Sequence, residues 1–263
     1  MIEAFLIKPF LALTLITLSC SLLGVFVLWK RLAYFGDGLS HSILLGFILG
    51  ALFDINQMLA LIIFSLLFAV LVGLASSNSY FSKDTIIAIS SYFCISLAII
   101  LNDLFNQNIN LGAYVFGDIL TVGHQELWSL CIISVVTIIY SIYAFRKILM
   151  ININADLAKI DGVKVQFWNL SFLILLAITI ALSVKIVGIL LMTALLILPA
   201  AISRIFAISA KQMIIFSLII GCSISTLSFK LADIYNLAVG SSIISGFCII
   251  FILSLSLKKI TSK

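Results

Sequence analysis

Long apolar runs follow one another along this chain, separated only by short polar links, and they constrain its fold more than any other feature. They lie near residues 10–28, 34–53, 57–76, 85–104, 127–145, 167–184, 187–204, 212–230 and 239–257. Each holds about 18 to 20 residues, which at roughly 1.5 Å per residue spans the ~30 Å hydrocarbon core of a bilayer. Backbone groups in lipid must pair internally, which leaves helices or a closed barrel. The runs do not alternate polar with apolar, and that selects helices. Charged residues make up 10% of the chain, against about 25% in a soluble domain. The sequence therefore predicts an all-α polytopic transmembrane helical bundle of eight to nine helices in one membrane domain, 1–263. The uncertainty in the count rests on 187–204, which is short enough for a partial span.

Charge gives orientation rather than a nucleic-acid surface. The longest basic runs are Lys30-Arg31, Arg146-Lys147 and Lys258-Lys259, each beside an apolar segment. With nine spans and the N-terminus outside, only Lys8, Lys185 and Lys230 of the 15 lysines and arginines fall outside. That bias follows the positive-inside rule and places the C-terminus in the cytoplasm. Lipid is the expected surrounding, and no nucleic acid is expected as a partner. The five cysteines stand singly in apolar surroundings without a CxxC pair and read as small hydrophobes.

Two segments fall outside the pattern. Residues 111–121 are too short to cross a membrane and suggest a re-entrant or interfacial helix. Residues 146–166 form the longest non-apolar stretch and fall on the cytoplasmic side. There Asn154 or Asp156 suits the N-cap of a short helix ending at Gly162.

The most informative ionisable pair is Asp37 with His41. Their i, i+4 spacing puts both side chains on one helix face. His41 lies roughly 15 Å beyond Arg31, near mid-membrane, with Asp37 about one turn nearer the cytoplasm. Ionisable groups at that depth are costly and mark a pathway more often than not. Imidazole with carboxylate also suits first-row divalent ions. The alternative is a pair held for packing alone. Gly36, Gly38, Ser40, Ser42 and Gly46 around it permit close helix approach without separating the two readings.

Other polar positions are weaker. Asp118 suits either the outer mouth of a pathway or a helix cap. Asp233 and Asn236 lie at the outer end of a helix, where an ordinary polar loop is the simpler reading. His124 and Glu126 read as solvated loop residues, and Asp84 as a cap. The chain has no GxxxxGK[ST], HExxH or GxSxG motif, so neither a P-loop nor those catalytic signatures supports an enzyme.

At these motifs the chain resembles the metal-ion ABC transporter permeases. The likeness rests on four blocks in order. They are Arg31-Leu-Ala-Tyr-Phe-Gly-Asp-Gly-Leu-Ser-His-Ser-Ile-Leu-Leu-Gly46, Asn110 to Leu120, Asp156-Leu-Ala-Lys-Ile-Asp-Gly-Val163, and Lys185 to Ala201 with Pro199. Within that family it is most similar to the zinc-uptake permeases of Gram-negative bacteria. The resemblance implies two permease copies around a pathway, cytoplasmic ATPase subunits that bind ATP, and a periplasmic metal-binding protein. It further implies an inner-membrane location and transported zinc, with no bound cofactor. Asp37 and His41 map onto the family's ion site. Asp156, Ala158 and Gly162 map onto its coupling helix, where small residues would allow a close fit to the ATPase. The chain departs from the pattern at Asn236, where relatives often carry an acid; either Asp233, about one turn earlier, substitutes for it or the role is lost.

The expected function is thus the permease subunit of an ATP-driven zinc importer. Manganese or iron uptake is the near alternative. A stand-alone secondary transporter or channel, with Asp37 and His41 as a proton relay, would not need a docking helix at 146–166. A membrane scaffold would tolerate the loss of both residues.

Overall fold

The computed structural model describes residues 6–75, 81–105 and 111–261. Asn110, which opens the second sequence block, Ser76, which ends the third apolar run, and Lys263, one of the inside charges, lie outside the described residues. Ten helices follow in order among the described residues. They are α1 Ile7–Trp29, α2 Ala33–Leu52, α3 Gln57–Ala75, α4 Lys83–Leu104, α5 Leu111–Phe116, α6 His124–Ile153, α7 Ala155–Ile160, α8 Val165–Phe206, α9 Ala210–Ile234 and α10 Val239–Thr261. All but α5 and α7 are long and apolar enough to cross a membrane, which makes eight.

One of the eight is two spans. A straight helix of 42 residues would be about 63 Å long, twice the hydrocarbon core. Gly188, at φ 78° and ψ 167°, breaks α8 in the middle. Contacts with neighbouring helices trace both arms. On the first arm Trp168 lies under Lys147 of α6 while Lys185 reaches Glu126 at the opposite end of α6. On the second, Leu191 lies beside Gly240 at the start of α10, and Ile205 accepts from Lys258 near its end. Phe172 and Leu196 both meet the same end of α1, at Phe26 and Gly24. The chain therefore doubles back at Gly188. The separate runs read at 167–184 and 187–204 are these two arms, and the second is a full crossing rather than a partial one.

Helix α1, helix α2 and both arms of α8 are buried over most of their lengths, and the other long helices surround them with apolar outer faces. Hydrophobic burial cannot drive helices together inside lipid, so small residues and hydroxyls carry the packing. The Ser19 and Ser134 hydroxyls lie 2.9 Å apart between α1 and α6. Thr17 and Ser225 lie 3.2 Å apart between α1 and α9, and Ser217 donates to the Ser21 carbonyl at 2.9 Å. Contacts of this kind contribute about 0.6 kcal/mol each on average.

Several sequence expectations change here. Most of the first half of 146–166 is helix: α6 continues to Ile153 because Ile148 and Ile151 keep a buried face beyond Arg146 and Lys147. Asn154 then caps α7, its side chain accepting from the Asp156 and Leu157 amides. At the other end the Val163 amide bonds Ala158 and the Gly162 amide bonds Lys159, with Gly162 at φ 78°. This is a Schellman stop. Asp84 is not the cap of α4. Ser82 holds that position, accepting from the Thr85 amide, and Asp84 sits inside the first turn. Of the cysteines, Cys20 and Cys94 are buried, but Cys248 lies exposed on α10.

Candidate functional site

The polar face of α2 is built by its glycines. A Cβ on Gly36 would lie 2.6 Å from Leu196 of α8, and one on Gly38 would lie 2.4 Å from Ile87 of α4. Both neighbouring helices therefore close on the backbone that flanks Asp37. Ser40 and Ser42 are fully buried on the same packed sides. The remaining face is open: Tyr34 is 50% exposed, and the Asp37 and His41 side chains are 46% and 34% exposed. One turn further along, Leu44 and Leu45 are buried again. The open stripe thus runs from the start of α2 to its middle, where His41 lies roughly 12 Å from Ala33.

His41 Nε2 lies 3.6 Å from Asp37 Oδ1. That is beyond a hydrogen bond but within reach of one shared cation. Among the described residues no third His, Cys, Asp or Glu joins them as a metal cluster. The chain thus offers an oxygen and a nitrogen donor from one helix face. A divalent ion prefers four or more ligands, so this pair alone can hold one only with help from water or another surface.

Helix α5 is six residues long, as expected of a segment that cannot cross. Its Tyr114 ring lies 3.8 Å from the Phe47 ring on the far half of α2. After α5 the chain turns at Gly117 against Gly188, and a cavity of about 250 Å³ opens there, lined by Asp118, Val187, Leu191 and Gly240 among others. Asp118 is exposed and caps the turn Ile119–Thr121, its carboxylate accepting from the Leu120 amide at 3.1 Å. The cap reading of Asp118 therefore holds, and the residue also lines this cavity.

Asp233 and Asn236 are exposed at the end of α9, and the adjoining turn lines that cavity through Leu237 and Ala238. Asn236 has φ 51°, and the bonds from its own amide and the Leu237 amide back to Asp233 and Ala232 stop the helix. Asparagine tolerates this left-handed conformation. Its identity thus answers to the turn. The structure does not bring Asp233 or Asn236 into the Asp37–His41 face.

Glu126 corrects a sequence reading. It is a first-turn residue of α6, not a loop residue, and it bridges two elements. Its carboxylate accepts from the Gly123 amide at 2.8 Å and from Lys185 at 2.6 Å. His124 starts the same helix and is exposed. No local pattern could have paired positions 59 residues apart. Ala158 is a second correction. It is 1% exposed, so its small side chain seats α7 against this chain's own helices and no partner can reach it. The outward residues of the segment mix apolar Ile153, Leu157 and Ile160, at 77%, 57% and 80% exposure, with the charged Asp156 and Lys159.

Comparison with known proteins bears on this arrangement. Residues 2–258 match the model of the ABC 3 transport family. The high-affinity zinc uptake system membrane protein ZnuB of Haemophilus influenzae is 36% identical over 234 residues, covering 89% of this chain and 90% of its own. The manganese import system permease protein ScaB of Streptococcus gordonii is 31% identical over 251 residues, covering 95% and 90%. Among solved structures, PsaBC from Streptococcus pneumoniae in complex with Fab contains a chain that superposes with a TM-score of 0.83 at 27% identity. It covers 96% of this chain and 91% of its own.

Proposed function

The chain belongs to the ABC 3 transport family, and we propose that it is the membrane-spanning permease subunit of an ATP-driven zinc importer, passing the ion inward by alternating access. The observation that carries the metal is the likeness to a zinc uptake membrane protein along 89% of the chain. The chain is not itself an enzyme: ATP is hydrolysed on a separate subunit. It is a multi-pass protein of the bacterial inner membrane. The end rich in lysine and arginine faces the cytoplasm, with the N-terminus periplasmic and the C-terminus cytoplasmic, as the charge bias favours. All of 1–263 acts as one membrane domain.

In this reading a periplasmic binding protein delivers zinc to the mouth beside Asp118 and the turn at Leu237 and Ala238, with Asp233 near the approach. Asp37 and His41 then receive it at mid-membrane. A carboxylate and an imidazole offset part of the dehydration cost of a divalent ion in a low-dielectric setting. Two ligands from one helix bind moderately, which permits release, whereas a closed tetrahedral set would retain zinc. The half-open face of α2 supports a pathway shared with a second copy of the chain. Transmission from the ATPase runs through α7 within 146–166. Asp156 and Gly162 shape that helix, Ala158 anchors it inward, and Leu157 and Ile160 meet the ATPase.

Manganese is a second reading, favoured by the 31% identity to a manganese permease. One histidine per copy suits it as well, since manganese accepts more oxygen ligands. The test is uptake of radioactive zinc in a host lacking its own importer, with the chain co-expressed with ATPase and binding-protein partners. Zinc import that manganese fails to inhibit supports the assignment. Full inhibition by manganese reassigns the metal, and import without the ATPase removes the ABC reading.

A further inference from the structure

At the basic end of the bundle, the ends of α1, α3, α4, α6, α7 and α8 leave a cavity of about 670 Å³. Three lysines line it, Lys30, Lys83 and Lys159, and none of the described residues that line it is acidic. Lys30 donates to the Asn169 side-chain oxygen and lies 5.6 Å from the Phe172 ring centroid, but neither contact brings a negative charge. Burial, followed by the charge of Lys83, lowers the Lys30 ammonium from 10.5 to about 8. Lys159 pairs with Asp156 at 2.9 Å and is 61% exposed, so it can exchange that partner for another anion. Asn152, Gln166 and Asn169 add neutral polar residues to the lining.

Two lysines with no acidic neighbour in the lining, Lys30 and Lys83, and a third, Lys159, that can exchange its exposed partner surround one cavity and define an anion site. Ammonium groups from the ends of three different helices around one cavity suit a group with several acceptor oxygens, such as phosphate. The same lining includes apolar side chains such as Leu170 and Leu173. A cavity lined by both basic and apolar side chains, between membrane helices at their cytoplasmic ends, fits a lipid headgroup. We propose that this cavity is a phosphate site, filled from the membrane by the headgroup of an anionic phospholipid. Once occupied, it ties α7 through Lys159 to Lys30 and Lys83 on the membrane helices. The bound lipid then braces the segment that meets the ATPase.

The test reads lipid binding, not transport, so its failure is distinct from failure of the zinc assignment. The full-length chain is purified in micelles doped with phosphatidylglycerol or phosphatidylcholine, and native mass spectrometry counts the retained lipid. Phosphatidylglycerol is expected to be retained at least tenfold over phosphatidylcholine. Lys83→Gln, at an exposed rim position that leaves the fold intact, is expected to lower retention about fivefold, and Lys30→Gln with Lys83→Gln by a further factor of similar size. Lys258→Gln with Lys259→Gln, an equal charge loss away from the cavity, is expected to change nothing. Displacement by inorganic phosphate supports the phosphate chemistry. Phosphate binding without phosphatidylglycerol binding overturns the membrane as source. Equal retention of both lipids, or equal loss in the Lys258 and Lys259 control, overturns the site.

Discussion

Gly117 and Gly188 meet backbone to backbone. A Cβ on Gly117 would lie 2.2 Å from the Gly188 nitrogen, and one on Gly188 would lie 2.3 Å from the Phe116 carbonyl carbon. Both have positive φ, 68° and 78°. This contact holds the turn after α5 against the point where α8 doubles back. It therefore fixes the far-end cavity at Asp118 and the relative placement of two spans.

Gly188→Ala is expected to cost about 3 kcal/mol or more, since its φ and ψ are essentially restricted to glycine and the new methyl strikes backbone. Gly162→Ala has open space around it and meets only the left-handed penalty, about 1 kcal/mol. Gly73→Ala finds ordinary contacts at 3.4 Å or more inside a helix and is expected to be neutral or slightly stabilising. Thermal melts of the detergent-purified variants should rank in that order.

The Glu126–Lys185 pair, at 2.6 Å, lies a few residues from the same turn. Both groups are partly exposed, at 23% and 47%, so the pair is worth about 1 kcal/mol or less. Lys185→Met is expected to lower the melting temperature by a few degrees, with a smaller effect at high salt. Glu126→Gln should cost more than Lys185→Met because it also weakens the bond to the Gly123 amide. A double-mutant cycle measures the coupling.

The spans were legible in the sequence because a membrane helix needs only length and apolarity, and Lys185 marked the break between the two arms of α8. Asp37 and His41 were legible because i, i+4 neighbours share a face whatever surrounds the helix. The cap at α7 was legible from Asn154 and Gly162, residues that favour those backbone positions. What the sequence hid was contact between distant positions. Nothing local pairs Glu126 with Lys185, or sets Gly117 on Gly188. The inward direction of Ala158 depends on how α7 is rotated, which composition does not encode. Ser82 rather than Asp84 caps α4 because the helix starts two residues earlier than the apolar run.

Substitutions on the outward and inward sides of α7 are expected to separate the proposed docking from folding. Leu157→Asp or Ile160→Asp places a charge on an exposed position, so the chain should fold normally. Its binding to the ATPase subunit is expected to fall at least tenfold, and transport with it. Ala158→Leu strikes the buried side and is expected to cost 1–3 kcal/mol of stability, an estimate from overpacking. Pull-down with the ATPase, beside a thermal melt, distinguishes the two effects.

Asn236 tests whether the mouth requires an acid or a turn. Asn236→Gly keeps the left-handed stop and is expected to preserve both abundance and uptake. Asn236→Val is expected to lose about 1–2 kcal/mol through backbone strain. If Asn236→Gly lost uptake at full abundance, the side chain itself would be handling the ion.

The most direct test of the central claim is zinc uptake by Asp37→Asn and His41→Ala, assembled with the partner subunits and matched for membrane abundance. Both residues sit on the one open face of α2, and their substitution fills no packed space. Each variant is expected to lose at least tenfold in zinc uptake while its melting temperature stays within a few degrees of wild type. Normal uptake by His41→Ala would contradict the account and move the ion's path away from α2.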